Sequence, residues 1–169
     1  MKVLFVTTLA ALVFAPPTAA QLTNKVAITD NSFEEASQAI VSSDNKNVYM
    51  VAEKDNVLVT YTRDTVTGAL SNKASEEDAT NMKWARDVAI SPDGKNVYVA
   101  GYESNAIVTW TRDSTTGALS NKVVTKDNTN LDGVNAVAVS PDNKNVCTYG
   151  QWRCFREKSS ERRVVVYPY

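Results

Sequence analysis

The phrase SPDGKNVYVA at residues 91–100 has a near copy, SSDNKNVYMV, at 42–51 and a third, SPDNKNVCTY, at 140–149. Asp44, Asp93 and Asp142 stand 49 residues apart, as do Asn47, Asn96 and Asn145. The step also holds between phrases: TRD recurs at 62–64 and 111–113, and GALSNK at 68–73 and 117–122. Across 40–73 and 89–122, 19 of 34 positions are identical. A chain that repeats itself at such a period must stack like units, because one unit cannot bury its own apolar faces.

The unit is not helical. Between Arg86 and Lys126 the apolar residues fall in short runs rich in Val, Ile, Tyr and Trp. Four strands are read: 87–91, 96–102, 106–112 and 118–124. Val88 with Ile90, Val97 with Val99, and Val108 with Trp110 show the two-residue period of a strand. The connectors have turn chemistry. Pro92 suits the first corner of a turn, and Gly94 tolerates positive φ; its counterparts Asn45 and Asn143 are the next most tolerant type. Four strands joined by three tight turns make an antiparallel meander. Repeated at this period, a meander is a propeller blade, so the fold class is all-β.

These residues carry a resemblance. SPDGKNVYVA, a Ser-Asn turn, the Ile-Val-Thr-Trp strand, TRD and TTGAL resemble the repeats of the lactonase-like seven-bladed β-propeller family, with its YVTN-type repeats. The likeness covers about 22–146. It implies blades around a channel and a family that includes sugar-lactone hydrolases, surface-layer proteins and secreted proteins. Fold alone does not fix the chemistry.

Strand counting gives about two and a half blades. LTNK at 22–25 matches LSNK at 70–73 and reads as an orphan outermost strand. Blades follow at about 36–73 and 85–124, and a third begins at 136–140 and 145–146. Two and a half blades leave the ring unclosed. A marginally stable chain that associates with itself through exposed blade faces is the expectation.

Before the blades, Lys2 precedes an uncharged apolar run from Val3 to Ala15, and Thr18-Ala19-Ala20 offers small residues before Gln21. Residues 1–20 therefore read as a signal peptide, and the mature chain as secreted, with no membrane association after cleavage.

After Val146 the pattern stops. Residues 21–146 hold 12 Lys and Arg against 17 Asp and Glu, a net of −5, whereas 147–169 hold 5 against 2, a net of +3. Both cysteines, Cys147 and Cys154, fall in this tail. Three readings stand beside one another. The tail is a basic arm for an acidic partner, or Cys147 and Cys154 form a local disulfide that secretion permits, or a shifted reading frame has replaced an evolved segment. Gln151 to Arg163 has seven charged residues in thirteen. The expectation is an ordered meander ending near Val146 to Tyr149, then an irregular tail over 150–169, with VVVY at 164–167 left to pair with an open edge.

The repeat serves as a control for function. Framework positions persist while the loops between blades diverge, at 31–38, 81–87 and 130–136. The candidate ligand-binding residues are Glu34, Glu35, Gln38, Trp84, Arg86, Asp87, Asp132 and Asn135. Trp84 offers a ring for a sugar, Arg86 a fork for a carboxylate or phosphate, and Asp87 a base. The competing reading packs Trp84 between blades and ties adjacent turns with Arg86 and Asp87. Glu76-Glu77-Asp78 reads as a solvated turn, and the recurrent Arg63-Asp64 and Arg112-Asp113 as edge polarity and turn support.

The sequence has no histidine, no G-x-S-x-G and no Gly-rich phosphate loop. No catalytic residue, metal site or cofactor is expected from it, and the acidic repeat region argues against nucleic acid. The residues favour a secreted, non-catalytic propeller-repeat protein that binds a protein or glycan. The alternative, implied by the resemblance, is a sugar-lactone hydrolase whose site is assembled from several blades.

Overall fold

The computed structural model describes residues 34–149 and the strands at 153–158 and 161–167. The expected signal peptide at 1–20 and the expected strand at 22–25 lie outside the described residues. Three four-stranded antiparallel sheets follow one another. The first blade is β1 (Ala36–Val41), β2 (Asn47–Ala52), β3 (Val57–Arg63) and β4 (Leu70–Glu77). The second is β5 (Ala85–Ile90), β6 (Asn96–Gly101), β7 (Ala106–Arg112) and β8 (Leu119–Lys126). The third is β9 (Ala136–Val139), β10 (Asn145–Tyr149), β11 (Arg153–Lys158) and β12 (Glu161–Tyr167). In each blade the spatial order is the chain order, so every sheet is a meander. The inner strand β5 packs between β1 and β9, which sets the blades side by side. The described sheets are open and unclosed, as the repeat count predicts.

The repeated phrase builds the turn between a blade's first two strands. Ser42 Oγ donates to Asp44 Oδ1, while the amides of Lys46 and Asn47 donate back to Asp44 Oδ1 and Ser42 Oγ. Ser91 with Asp93 and Ser140 with Asp142 repeat the arrangement. The corner residues Asn45, Gly94 and Asn143 have φ of 61°, 71° and 59°. This is the left-handed conformation that their residue types imply.

Strand alternation divides the second blade between two seams. Tyr49, Val51 and Leu58 face Val88, Val97, Val99, Val108 and Trp110 across the first seam, with Met82 inserted. The other face of the second blade, with Tyr98, Ala100 and Ile107, meets Leu131, Val134, Val137 and Val146. Each such side chain fully buried contributes about 1.5–3 kcal/mol, so the seams carry the fold.

The third blade differs from the expectation of an irregular tail over 150–169. The charge-rich 151–163 stretch reads as lacking the burial needed for a third strand, yet β11 pairs with β10, and β12 with β11. The 164–167 stretch does pair with a strand edge, that of β11 in its own blade: Val164, Val165 and Val166 pair with Glu157, Arg156 and Phe155. The physical reason is visible in the other blades. Their outermost strands β4 and β8 are exposed along most of their length and are held by the backbone ladder. β12 takes that outermost place, where the ladder supplies the pairing; β11 stands in the third place, which β3 and β7 fill with largely buried residues, and is held by ladders to β10 and β12 on its two sides. Cys147 is disulfide-bonded, and Cys154, the only other cysteine in the sequence, is its direct partner in the register between β10 and β11.

Arg112 also departs from its reading as edge polarity. It is 4% exposed and spans the first seam. Its Nε donates to Tyr49 Oη at 2.8 Å, Nη1 to the Gly94 carbonyl at 3.1 Å, and Nη2 to Asn47 Oδ1 at 2.7 Å and Asp44 Oδ2 at 3.0 Å. Its repeat partner Arg63 donates to the Asn45 carbonyl at 3.2 Å, within its own blade. The turn-support reading holds for Asp64 and Asp113. Each accepts two amides of its own turn, from Val66 and Thr67 and from Thr115 and Thr116.

Arg112→Met leaves the buried Tyr49 hydroxyl and Asn47 Oδ1 without this donor while Asp44 keeps partial exposure and its own turn bonds, so a loss of roughly 1–3 kcal/mol in urea unfolding is expected. Burial raises the Asp44 carboxyl, but hydrogen bonds from Ser42, Arg112 and the Lys46 amide overcome it and hold it at about 2, below its ordinary 3.8. A depressed carboxyl adds stability that is complete above the unfolded value and is lost as pH falls through the folded one. Thermal melts should therefore show the gap between wild type and Asp44→Asn closing between pH 3.8 and about 2.

Candidate functional site at the blade seam

Each loop from an outer strand to the next inner strand follows one local programme. Asp78 Oδ1 accepts the amides of Thr80 and Asn81, and Asp127 Oδ1 those of Thr129 and Asn130. Met82 and Leu131 then plug the seam, both essentially buried. Next comes a corner in the left-handed region, occupied by Glu35, Trp84 and Gly133 with φ of 54°, 55° and 59°. An asparagine of the preceding blade holds the corner: Asn56 Oδ1 accepts the Trp84 amide at 2.9 Å, and Asn105 Oδ1 the Gly133 amide at 3.1 Å. Glycine is the natural residue for such a corner, and a tryptophan there stores of order 1–3 kcal/mol of strain.

Two residues after the corner, the strand bulges. Register shifts between Ala36 and Gln38 and between Ala85 and Asp87, leaving Ser37 and Arg86 as the extra residues. A bulge re-aims one side chain while the ladder continues around it. The position is shared by Ser37, Arg86 and Asn135, 49 residues apart, and its chemistry changes in every copy. Ser37 Oγ donates to the Ala85 carbonyl at 2.8 Å, from the first blade to the second.

Arg86 gathers groups from three blades. Its Nη2 donates to Glu53 Oε1 of the first blade at 3.2 Å, and Nη1 to Asn135 Oδ1 at the start of the third at 2.7 Å. Within the second blade its guanidinium lies 3.9 Å from the Tyr102 ring centroid and 5.8 Å from that of Trp84. Trp84 and Tyr102 stack with centroids 6.0 Å apart and planes 13° from parallel. Trp84 is 42% exposed, and among the described residues the buried Arg86 Nε has no hydrogen-bond partner. A Cβ on Gly133 would sit 3.4 Å from the Tyr102 ring, in ordinary contact, so it is the positive φ of 59° rather than space that favours glycine there.

Of the residues read from the sequence, Trp84, Arg86 and Asn135 come together here. Asp87 lies in the same seam in a structural place. Its Oδ2 accepts the Val137 amide of β9 at 2.8 Å and its Oδ1 the Val88 amide at 2.9 Å. Burial pushes its carboxyl up, against the pull of those two amides. Glu34 and Glu35 both pair with Lys54, and Gln38 and Asp132 are exposed. Glu76 and Glu77 close β4, and Asp78 meets Lys122. Among the described residues no group of three or more His, Cys, Asp or Glu is placed to hold a metal ion. Glu53, Tyr102 and Asn56 were missed. The signal was present for the first two, which share one repeat position and differ in type.

The family model described as lactonase, 7-bladed beta-propeller, matches residues 8–147. The chain belongs to this lactonase family. No curated protein matches it in sequence. Among solved structures, a Bacteroides fragilis protein provisionally assigned as a 6-phosphogluconolactonase superposes with a TM-score of 0.65 at 18% identity. That match covers 78% of this chain and 37% of the other. The periplasmic gluconolactonase of Pseudomonas aeruginosa superposes with a TM-score of 0.64 at 18% identity, over 79% of this chain and 39% of its own. At such identity these likenesses establish the fold. The lactonase-family chain thus spans under two-fifths of the length of these two propellers, and the seam cluster lies within the residues 8–147 that the family model matches.

Asparagine offers one acceptor oxygen where the Asp87 carboxylate uses two. Asp87→Asn is therefore expected to cost about 1–3 kcal/mol in urea unfolding, by leaving one seam amide unpaired.

Proposed function

We propose that the chain contributes the substrate-gripping seam of a sugar-lactone hydrolase. The observation that carries this reading is Arg86, a bulge residue without a like counterpart in the other copies, gathered by Glu53, Asn135, Tyr102 and Trp84 from three consecutive blades. Membership of the lactonase family supports it. Lactone hydrolysis adds water to the ring carbonyl, breaks the ring C–O bond and gives the hydroxy acid. Negative charge gathers on the carbonyl oxygen in the transition state, and a fixed guanidinium stabilises it. A carboxylate is suited to take the proton of the attacking water, and Glu53 touches Arg86.

A second reading, a non-catalytic module that binds a protein or glycan, is favoured by one feature. Both terminal nitrogens of Arg86 already have protein acceptors, which suits a rigid recognition surface.

One experiment separates the two. The full-length protein is mixed with glucono-1,5-lactone, and proton release is followed at mildly acidic pH, where the uncatalysed reaction is slow. The expected result is a rate above buffer that falls roughly 100-fold in Arg86→Gln with an unchanged circular dichroism spectrum. A rate equal to buffer would reject the hydrolase; calorimetric binding of a glycan without turnover would establish the second reading.

A further inference from the structure

We propose that Trp84, backed by Tyr102, forms a platform on which the apolar face of a closed sugar ring stacks. This rests on the reading of the seam as a sugar site and names which part of the ligand each group takes. Trp84 occupies a corner whose counterpart in the third blade is glycine, in a backbone conformation that tryptophan disfavours. The corner does not need an aromatic residue to fold, since Glu35 and Gly133 turn the same bend. What holds Trp84 in it is a full set of supports. Asn56 accepts its amide, its carbonyl accepts the Tyr102 amide at 3.1 Å, and its ring stacks on Tyr102. Strain maintained by several independent contacts is a mark of a positioned functional side chain.

The position of the ring fits that role. At 42% exposure it is neither a core residue nor a ring lying free on the surface. By contrast Trp110, on β7, is 2% exposed and serves the seam. The nearly parallel rings stack, so Tyr102 backs Trp84, and the Arg86 guanidinium covers the Tyr102 ring at 3.9 Å; the apolar face left for a ligand is that of Trp84. Beside that surface stand the Glu53 carboxylate and the Asn135 amide, whose chemistry suits a sugar's hydroxyls. A pyranose ring has this same division, with C–H groups on its faces and hydroxyls round its edge. A linear sugar acid does not present a flat face and gains little from the stack. The platform thus selects the closed lactone ring over its hydrolysis product, which is the discrimination that favours product release.

The test compares two probes on the full-length protein. One is the lactam analogue of glucono-1,5-lactone, which keeps the ring and resists hydrolysis; the other is gluconate, the linear acid. Both are titrated by calorimetry into wild type, Trp84→Leu, which keeps apolar bulk and removes the flat face, and Trp84→Phe, which restores one. Wild type should prefer the lactam. In Trp84→Leu the lactam Kd should rise about tenfold with the gluconate Kd unchanged, and Trp84→Phe should recover most of the difference. Equal loss of both probes in Trp84→Leu would mean a merely structural tryptophan and would overturn the proposal. So would unchanged lactam affinity in that variant, or no lactam binding by wild type. Turnover of glucono-1,5-lactone in the same proteins keeps the two readings apart. Trp84-dependent lactam binding without turnover removes the hydrolase and leaves the platform. Turnover with an unchanged KM in Trp84→Leu removes the platform and leaves the hydrolase.

Discussion

A guanidinium ion cannot be taken out of water unless its donors are met, and Arg112 is out of water. Four groups meet it, and three of them, Asp44, Asn47 and Tyr49, belong to the neighbouring blade. The pair therefore fixes how the two sheets face each other. Hydrophobic contact would hold the sheets together at several offsets, since one row of valines packs on another in more than one register. The charged contact admits one. Its effect reaches the candidate site because Arg112 lies at one end of the blade and Arg86 at the other, joined through paired strands. The register set at the latch is the register in which Glu53 and Arg86 meet.

The seam shows how a repeated sequence makes a site that is not repeated. Backbone devices are copied: the acid-capped turn, the buried plug, the left-handed corner and the asparagine that grips it. Side chains mounted on those devices are not copied. Ser37, Arg86 and Asn135 share one place in the unit, as do Glu53 and Tyr102. Because neighbouring blades present unlike residues at like positions, a cluster of mixed chemistry forms where they meet, without a dedicated element.

Much of this was legible in the sequence, for reasons that can be named. The turn phrase contains its own hydrogen-bonding groups, so Ser, Asp and the Gly or Asn corner reveal the bend locally. The four strands of the second blade announce themselves by alternation, and their bounds fall within a few residues of those read. Arg112 was misread because a charged residue in a repeated TRD reads as surface until its partner, 68 residues away at Asp44, is known. The bulge at Arg86 has no signature at all, since an extra residue is defined only by the strand opposite. The last two strands were missed because their segment lacks alternation and is rich in charge, while their pairing depends on a ladder that no residue type encodes. The strained corner is a middle case. Nothing in tryptophan suggests positive φ, but glycine 49 residues later does.

That corner has a consequence for how such a protein changes. The same bracket recurs at Glu35, Trp84 and Gly133, gripped from behind at the last two by the neighbouring blade's asparagine and indifferent to the side chain in front. An acid, an aromatic ring and a bare glycine all hang from it without altering the bend. Substitution at these brackets alters what the rim presents and leaves the frame alone. Drift in ligand preference can then proceed one blade at a time, each step reversible, with no need to invent a new loop.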